Sequence, residues 1–187
     1  MNHFTCPAFG FRIAQPDGWE VLPAQWVHAY LSRAAPTSEA LADILQQAQA
    51  HEPFLLMHKP AENPALAMPT VQCKASSLAA MTAQGSMANL LENITEKMTA
   101  AFPDFDILEA SDEYLVAGTC GGRMVASMSV KNAEGQSFHC ISESLFLPAK
   151  RFLFMIGMSA TSDAGLRPEA DFREMVHSLR LDQISHK

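Results

Sequence analysis

Side-chain catalysis and metal binding both need groups that converge, and this 187-residue chain holds few spacings that force convergence. Its histidines are His3, His28, His51, His58, His139, His177 and His186. No two stand at i, i+4 of a helix or i, i+2 of a strand, the spacings that put two imidazoles on one face for a metal. His139 and Cys140 are adjacent, so within a strand they point to opposite faces. A serine or cysteine nucleophile needs a base and an orienting group. The residue types are present, but the strained strand-to-helix elbow Gly-x-Ser-x-Gly is not. Phosphate binding needs a glycine turn that leads from a strand into a helix, where free N–H groups meet the anion. The only glycine pair, Gly121-Gly122, falls between two strand-like runs with no helix after it. Cys120-Gly121-Gly122 therefore reads as a hairpin turn.

Glu143 is the carboxylate whose setting raises a question of chemistry. It lies within Ile141-Ser142-Glu143-Ser144-Leu145, inside a strand-like run. A carboxylate there is exposed, ion-paired or shifted in pKa. Solvent exposure is expected first, pairing with Arg or Lys second, and catalysis last. Asn93-Ile94-Thr95 matches a glycosylation triplet but falls inside a helical pattern of a chain expected to carry no leader, and it is set aside. No catalytic residue, no cofactor-binding residue, no metal ligand and no cofactor is assigned, and the chain is expected not to be an enzyme.

Composition narrows the classes further. The chain is 48% hydrophobic and 18% charged, with a formal net charge of −7. That is a folding composition, and at this length one domain, residues 1–187, is expected. The acidic balance argues against a nucleic-acid partner. No apolar run reaches the eighteen residues of a membrane span, and the start has neither a basic leader nor an apolar core. The expected location is cytoplasmic. Cys6, Cys73, Cys120 and Cys140 are widely spaced and are expected to be buried free thiols.

The elements that would position these residues follow from periodicity. The Met-Asn-His start is expected to fray. Phe9 to Ala14 reads as a first strand, ended by the turn Gln15-Pro16-Asp17-Gly18. Trp19, just after the turn, is expected to plug the sheet edge. Trp26 to Leu31 fits a strand or a short helix. Pro36-Thr37-Ser38-Glu39 opens a helix, capped by Thr37 or Ser38, with Leu41, Ile44, Leu45 and Ala48 on one face. Pro53 ends it, and Phe54 to His58 is a strand. Lys59 to Pro69 reads as a loop between antiparallel strands, the second being Thr70 to Ser76. After Gln84-Gly85-Ser86 comes the longest helix, roughly Met87 to Phe102. Its apolar face carries Met87, Leu91, Ile94, Met98 and Ala101.

From Phe105 onward strands dominate. Phe105 to Ala110 is followed by Glu113 to Thr119, which pairs with Arg123 to Lys131. Met124, Ala126, Met128 and Val130 alternate there with polar neighbours. Asn132-Ala133-Glu134-Gly135 turns the chain into Ser137 to Leu147. Pro148-Ala149-Lys150 turns it again into Arg151 to Ala160. That last run is apolar on both faces, Phe152, Phe154, Ile156 and Met158 on one and Leu153, Met155 and Gly157 on the other, so it is expected at the centre of the sheet. A closing helix, Phe172 to Leu179, turns Phe172, Met175, Val176 and Leu179 inward. The methionines that fall on inner faces (Met87, Met98, Met128, Met175) are expected to fill core rather than line a groove. The whole reads as one α+β unit, an antiparallel meander with helices packed on it.

Three stretches carry a resemblance. They are the opening Phe11-Arg12-Ile13-Ala14-Gln15-Pro16-Asp17-Gly18-Trp19, the long helix running into Phe105-Asp106-Ile107-Leu108, and the closing Phe172-Arg173-Glu174-Met175-Val176-His177-Ser178-Leu179-Arg180-Leu181. Together they resemble the Mog1/PsbP-like superfamily, which includes bacterial domains of unknown function of the DcrB and PsbP types. The resemblance implies a three-layer αβα sandwich around an antiparallel sheet. Members with known roles bind other proteins, a small GTPase in one case and a photosystem in another. None of their partner-binding residues matches a motif here, so none is carried over.

The resulting expectation is a non-enzymatic interaction or assembly factor, with another protein as partner. The alternative is a small-ligand or lipid carrier with an apolar pocket between sheet and helices. Lys59 to Pro69 and the segment around Trp26, being free of packing duties, are where function is expected.

Overall fold

The computed structural model describes residues 2–23, 39–50, 52–60, 69–82, 85–131, 135–161 and 168–181. Trp26, the Thr37/Ser38 cap and most of the Lys59 to Pro69 loop lie outside the described residues.

The centre of the molecule is a seven-stranded antiparallel sheet. Its strands are β3 (Glu20–Val21), β4 (Leu55–His58), β5 (Thr70–Ser77), β6 (Asp106–Val116), β7 (Thr119–Lys131), β8 (Ser137–Ala149) and β9 (Phe152–Thr161). The order across the sheet is β3-β4-β5-β9-β8-β7-β6. β9 thus occupies the middle position, as its two apolar faces require. Phe154, Ile156 and Met158 enter one core and Leu153 and Met155 the other.

Each face has its own cover. On one side lie α2 (Leu78–Thr82) and α3 (Met87–Ala101), with α1 (Glu39–Ala50) packed on α3. Ser86 caps α3 by accepting a bond from the Asn89 N–H, and Leu90 and Leu91 bury against Met124, Phe146 and Leu153. On the other side lie α4 (Glu169–Ser178) and a three-stranded sheet of β1 (Asn2–Cys6), β2 (Phe11–Gln15) and β10 (Arg180–Leu181), in the order β1-β2-β10. Phe11, Ile13, Trp19, Phe172, Met175 and Leu179 meet Leu145, Leu147, Phe154, Ile156 and Met158 there. Phe9, Phe11, Phe54, Phe152 and Phe154 form a run of tilted and edge-to-face rings in this core. Such pairs contribute about 0.5–1.5 kcal/mol each beyond area burial. The architecture is the expected α+β three-layer sandwich, with the addition that the α4 layer also contains a small sheet.

Four local expectations are corrected. The first strand is Asn2–Cys6, which pairs from Asn2↔Gln15 to Cys6↔Phe11 instead of fraying; β2 supplies the ladder that tail-end statistics ignore. The two runs expected at Phe105 to Ala110 and Glu113 to Thr119 merge into one strand that ends at Val116, β6, kept on the β7 ladder by register shifts between Ile107 and Glu109 and between Ser111 and Tyr114. Pro148 and Ala149 belong to β8, and the turn is at Lys150-Arg151. Pro148 is tolerated because β8 has by then passed the end of its ladder with β7, at Gly122↔Phe146.

The fourth correction concerns the hairpin. Val116 pairs with Thr119, so the turn is Ala117-Gly118, both at positive φ (52° and 74°), the requirement of a two-residue type I′ turn. Gly121 and Gly122 are buried inside β7. A Cβ on Gly121 would stand 2.2 Å from the Phe146 carbonyl oxygen, and one on Gly122 would stand 2.7 Å from the Met87 sulfur. These glycines serve close packing across the sheet and against α3, not a turn.

Candidate functional site

The width of the sheet leaves a groove. Seven strands about 4.8 Å apart span roughly 29 Å, whereas a helix with its side chains covers about 10–12 Å. α4 and the small sheet cover β4, β5, β9, Leu145 and Leu147 of β8 and Val116 at the end of β6, and leave Val125 on β7 and Ile141 on β8 only partly covered. The open strip between α4 and β6–β8 is a cleft of about 800 Å³.

α4, its inner wall, is held at both ends. Near the N-terminus, Asp171 Oδ2 accepts from Trp19 Nε1 (2.9 Å) and from Lys59 Nζ (2.7 Å). At the C-terminus, Ser178 Oγ accepts from the Ala14 N–H and donates to the Met175 carbonyl, each at 2.7 Å. Trp19 is buried and packs on Phe172, so it pins the helix to the core rather than plugging an edge.

The floor is part apolar and part charged. Val125 and Ile141 present aliphatic surface, Ile141 being 42% exposed, whereas Leu115, 72% exposed, alternates with the core-facing Tyr114 and Val116 and turns to the opposite face of β6. Beside Val125 sits Arg123. Its Nε donates to Glu143 Oε1 (2.6 Å), its Nη1 donates to Glu109 Oε2, and its guanidinium lies 5.3 Å from the centroid of the Tyr114 ring. Burial opposes the Arg123 charge, but the hydrogen bonds it donates to Glu109 and Glu143 outweigh it and the pKa is raised. Of the three readings of Glu143, the geometry selects ion pairing: β7 places Arg123 one step from its row, and the side chain is only 23% exposed. The α4 lip carries Glu169, Arg173 and His177. Arg173 Nε donates to the Glu169 carbonyl (3.3 Å), and His177 Nδ1 lies 2.7 Å from the Arg173 carbonyl.

The other candidates disperse. His139 is exposed and Cys140 buried, on opposite faces of β8 as adjacency demands. Cys73 is buried in the core, and burial pushes its thiol pKa up. Cys6 is half-buried and Cys120 exposed, which corrects the expectation that all four thiols are buried. Among the described residues, no three His, Cys, Asp or Glu side chains gather in a way that could hold a metal ion. Lys59, at one end of the loop expected to carry function, is engaged structurally by Asp171. For the groove, the sequence expectations offer only Glu143 and a general pocket between sheet and helices. Its signal is the row of Glu109, Arg123 and Glu143 on three neighbouring strands, which only the bulged register of β6 brings together.

No protein-family model matches the chain, and no curated protein matches it by sequence. Solved structures do match. PsbP (CyanoP) from the cyanobacterium Synechocystis sp. PCC 6803 superposes with a TM-score of 0.55 at 10% identity, over 97% of this chain and 92% of that one. The fold is Mog1/PsbP-like. LpqN of Mycobacterium tuberculosis, involved in cell envelope biogenesis, matches with a TM-score of 0.53 at 12% identity, over 92% of this chain and 83% of its own. PA94 of Pseudomonas aeruginosa, a protein of unknown function, reaches 0.52 at 12% identity over 68% and 82%. At such identities the likeness concerns backbone architecture alone. No helix among the described residues is long and apolar enough to cross a membrane.

Proposed function

We propose that the chain is a non-enzymatic interaction or assembly protein that docks a segment of another protein in the groove between α4 and β6–β8. The observation that carries this reading is the groove's make-up. It is partly open to solvent, its floor exposes Ile141 beside Val125, and the cation on that floor, Arg123, is already committed to Glu109 and Glu143. An exposed apolar strip rimmed by polar groups is the usual form of a protein-docking surface. A catalytic site instead needs unsatisfied groups aimed at one reacting atom. The involvement of LpqN in cell envelope biogenesis is compatible with an assembly task and names no partner.

The test is site-specific photocrosslinking in the native host. A photoreactive residue at Ile141 is expected to trap one discrete protein in stoichiometric amount, while the same probe at Lys97, exposed on α3 across the sheet, traps none. Crosslinking indistinguishable between the two faces, together with native purifications that recover no stoichiometric partner, would overturn the reading.

The aliphatic lining, Val125 and Ile141 on the floor and Val176 on the α4 wall, supports the carrier as a second reading. The two spaces between layers are occupied by packed side chains, Phe154, Ile156 and Met175 in one and Leu90, Leu91 and Phe146 in the other, so a carried molecule would have to lie in the open groove. Native mass spectrometry of protein from its own host separates the two: only the apo mass eliminates the carrier.

A further inference from the structure

The charges around the groove select the occupant, given the docking reading above on which this inference rests. β6, the groove's outer strand, carries Asp106, Glu109, Asp112 and Glu113 and no Lys or Arg. On the floor, Arg123 sits between two carboxylates, Glu109 and Glu143, so that trio holds a net charge of −1 and offers no free cation to an anionic ligand. On the lip, Glu169 and Arg173 offset one another. The described surface that frames the exposed aliphatics is therefore acidic, and it repels a nucleic acid, an anionic lipid surface or an acidic peptide.

The same strand decides where the occupant lies. β6 ends the seven-stranded sheet, and a free edge can template an added strand. Here the edge is broken by two register shifts and studded with carboxylates, which are the devices that block strand addition. The face of the sheet is unblocked: Val125 and Ile141 lie open beside α4.

We propose that the groove accepts a polypeptide segment in which Lys or Arg residues flank apolar ones. The apolar side chains lie on Ile141 and Val125, and the cationic groups reach Glu109 and the acidic run of β6. The segment lies on the sheet face and does not extend the sheet.

The experiment is selection of a random-peptide display library on the purified protein. Clones are kept if they bind the native chain and lose binding to Ile141→Gln, which removes the aliphatic floor without adding charge. The expected result is enrichment of peptides with Lys or Arg around apolar residues. Their affinity should fall as salt rises and drop about threefold for each of Glu109→Gln and Glu113→Gln, the fold-change of an exposed ion pair. Groove-dependent peptides that are acidic or uncharged would overturn the proposed composition and leave the docking reading standing. Failure to enrich any peptide sensitive to Ile141→Gln would overturn the proposal as a whole, and the docking reading would then rest on the crosslinking alone.

Discussion

Gly121→Ala should be among the most damaging single-methyl additions to this protein, and the structure says why. The new Cβ would stand 2.2 Å from the backbone oxygen of Phe146 and 3.0 Å from the Leu147 side chain. A backbone carbonyl in the interior of a seven-stranded sheet cannot swing aside, so β7 and β8 must separate locally, in a core that contains the fully buried Leu147. Overpacking of this kind costs about 1–3 kcal/mol, and a clash with backbone belongs at the upper end. Gly122→Ala is the internal control. Its Cβ would meet the Met87 sulfur at 2.7 Å, the far end of a flexible side chain at the start of α3, so the methionine can move and the cost should stay below about 1 kcal/mol. Gly118→Ala meets nothing within 4 Å, and its cost is the positive φ of 74° alone, about 1–2 kcal/mol. Urea unfolding of the three variants reads these differences as shifts in midpoint at constant slope. For a chain of this size roughly 2–4 °C of Tm accompanies each kcal/mol, so Gly121→Ala at about 3 kcal/mol should lower Tm by roughly 6–12 °C. If Gly121→Ala unfolds with the wild-type midpoint, or is milder than Gly122→Ala, the close approach of β7 to β8 is wrong, and with it the shift of the hairpin from Cys120-Gly121-Gly122 to Ala117-Gly118.

Three further outcomes follow from the same geometry. Trp19→Phe keeps the ring in its place against Phe172 but removes the bond from Nε1 to Asp171, a loss of about 1.5–3 kcal/mol for a hydrogen bond to a charged acceptor; a double-mutant cycle with Asp171→Asn should show coupling, and strict additivity in urea unfolding would contradict the contact. The Asp104 carboxyl titrates below the usual carboxylate range because the Ser129 side chain and the Ser129 N–H both bond to it. A depressed folded pKa contributes stability that is present above the unfolded value and is lost as pH falls through the folded one. Ser129→Ala should therefore move the NMR-detected titration of Asp104 upward, and an unchanged midpoint would refute the assignment. In the native protein an alkylating reagent should modify exposed Cys120 first and half-buried Cys6 more slowly, with Cys73, its thiol pKa raised by burial, protected until unfolding; mass spectrometry of peptides that finds Cys73 labelled as fast as Cys120 would contradict the core assignment.

Much of the layer structure is legible in residue order. The two apolar faces of Phe152 to Met158 place β9 in the middle of the sheet, the 3.6 period of Met87 to Ala101 gives α3 its buried edge, and the spacing of Phe172, Met175 and Leu179 sets the inner face of α4. These are properties of one segment each, because side-chain period reports which face is buried without knowing against what. The hairpin is not legible in the same way, because Ala117 carries no turn signal of its own. Its positive φ is imposed by the ladder on either side, while Gly121 and Gly122 look like a turn and are in fact spacers under Phe146 and Met87.

Of the candidate site the sequence singles out Glu143 alone, and the rest is not legible for a physical reason. Glu109, Arg123 and Glu143 are far apart in the chain, and they meet only if β6, β7 and β8 pair in one register. Two bulges in β6 set that register, and no local pattern announces them. The groove also depends on a mismatch of widths, a seven-stranded sheet under a cover made by one helix and a small sheet, which is a property of the assembled layers. Sequence by itself therefore determined which residues face inward and what kinds of layers they build, since burial is set by local periodicity. Only the tertiary structure decided which strip of the sheet stays uncovered and which charges share it, since those follow from strand order, register and the reach of α4.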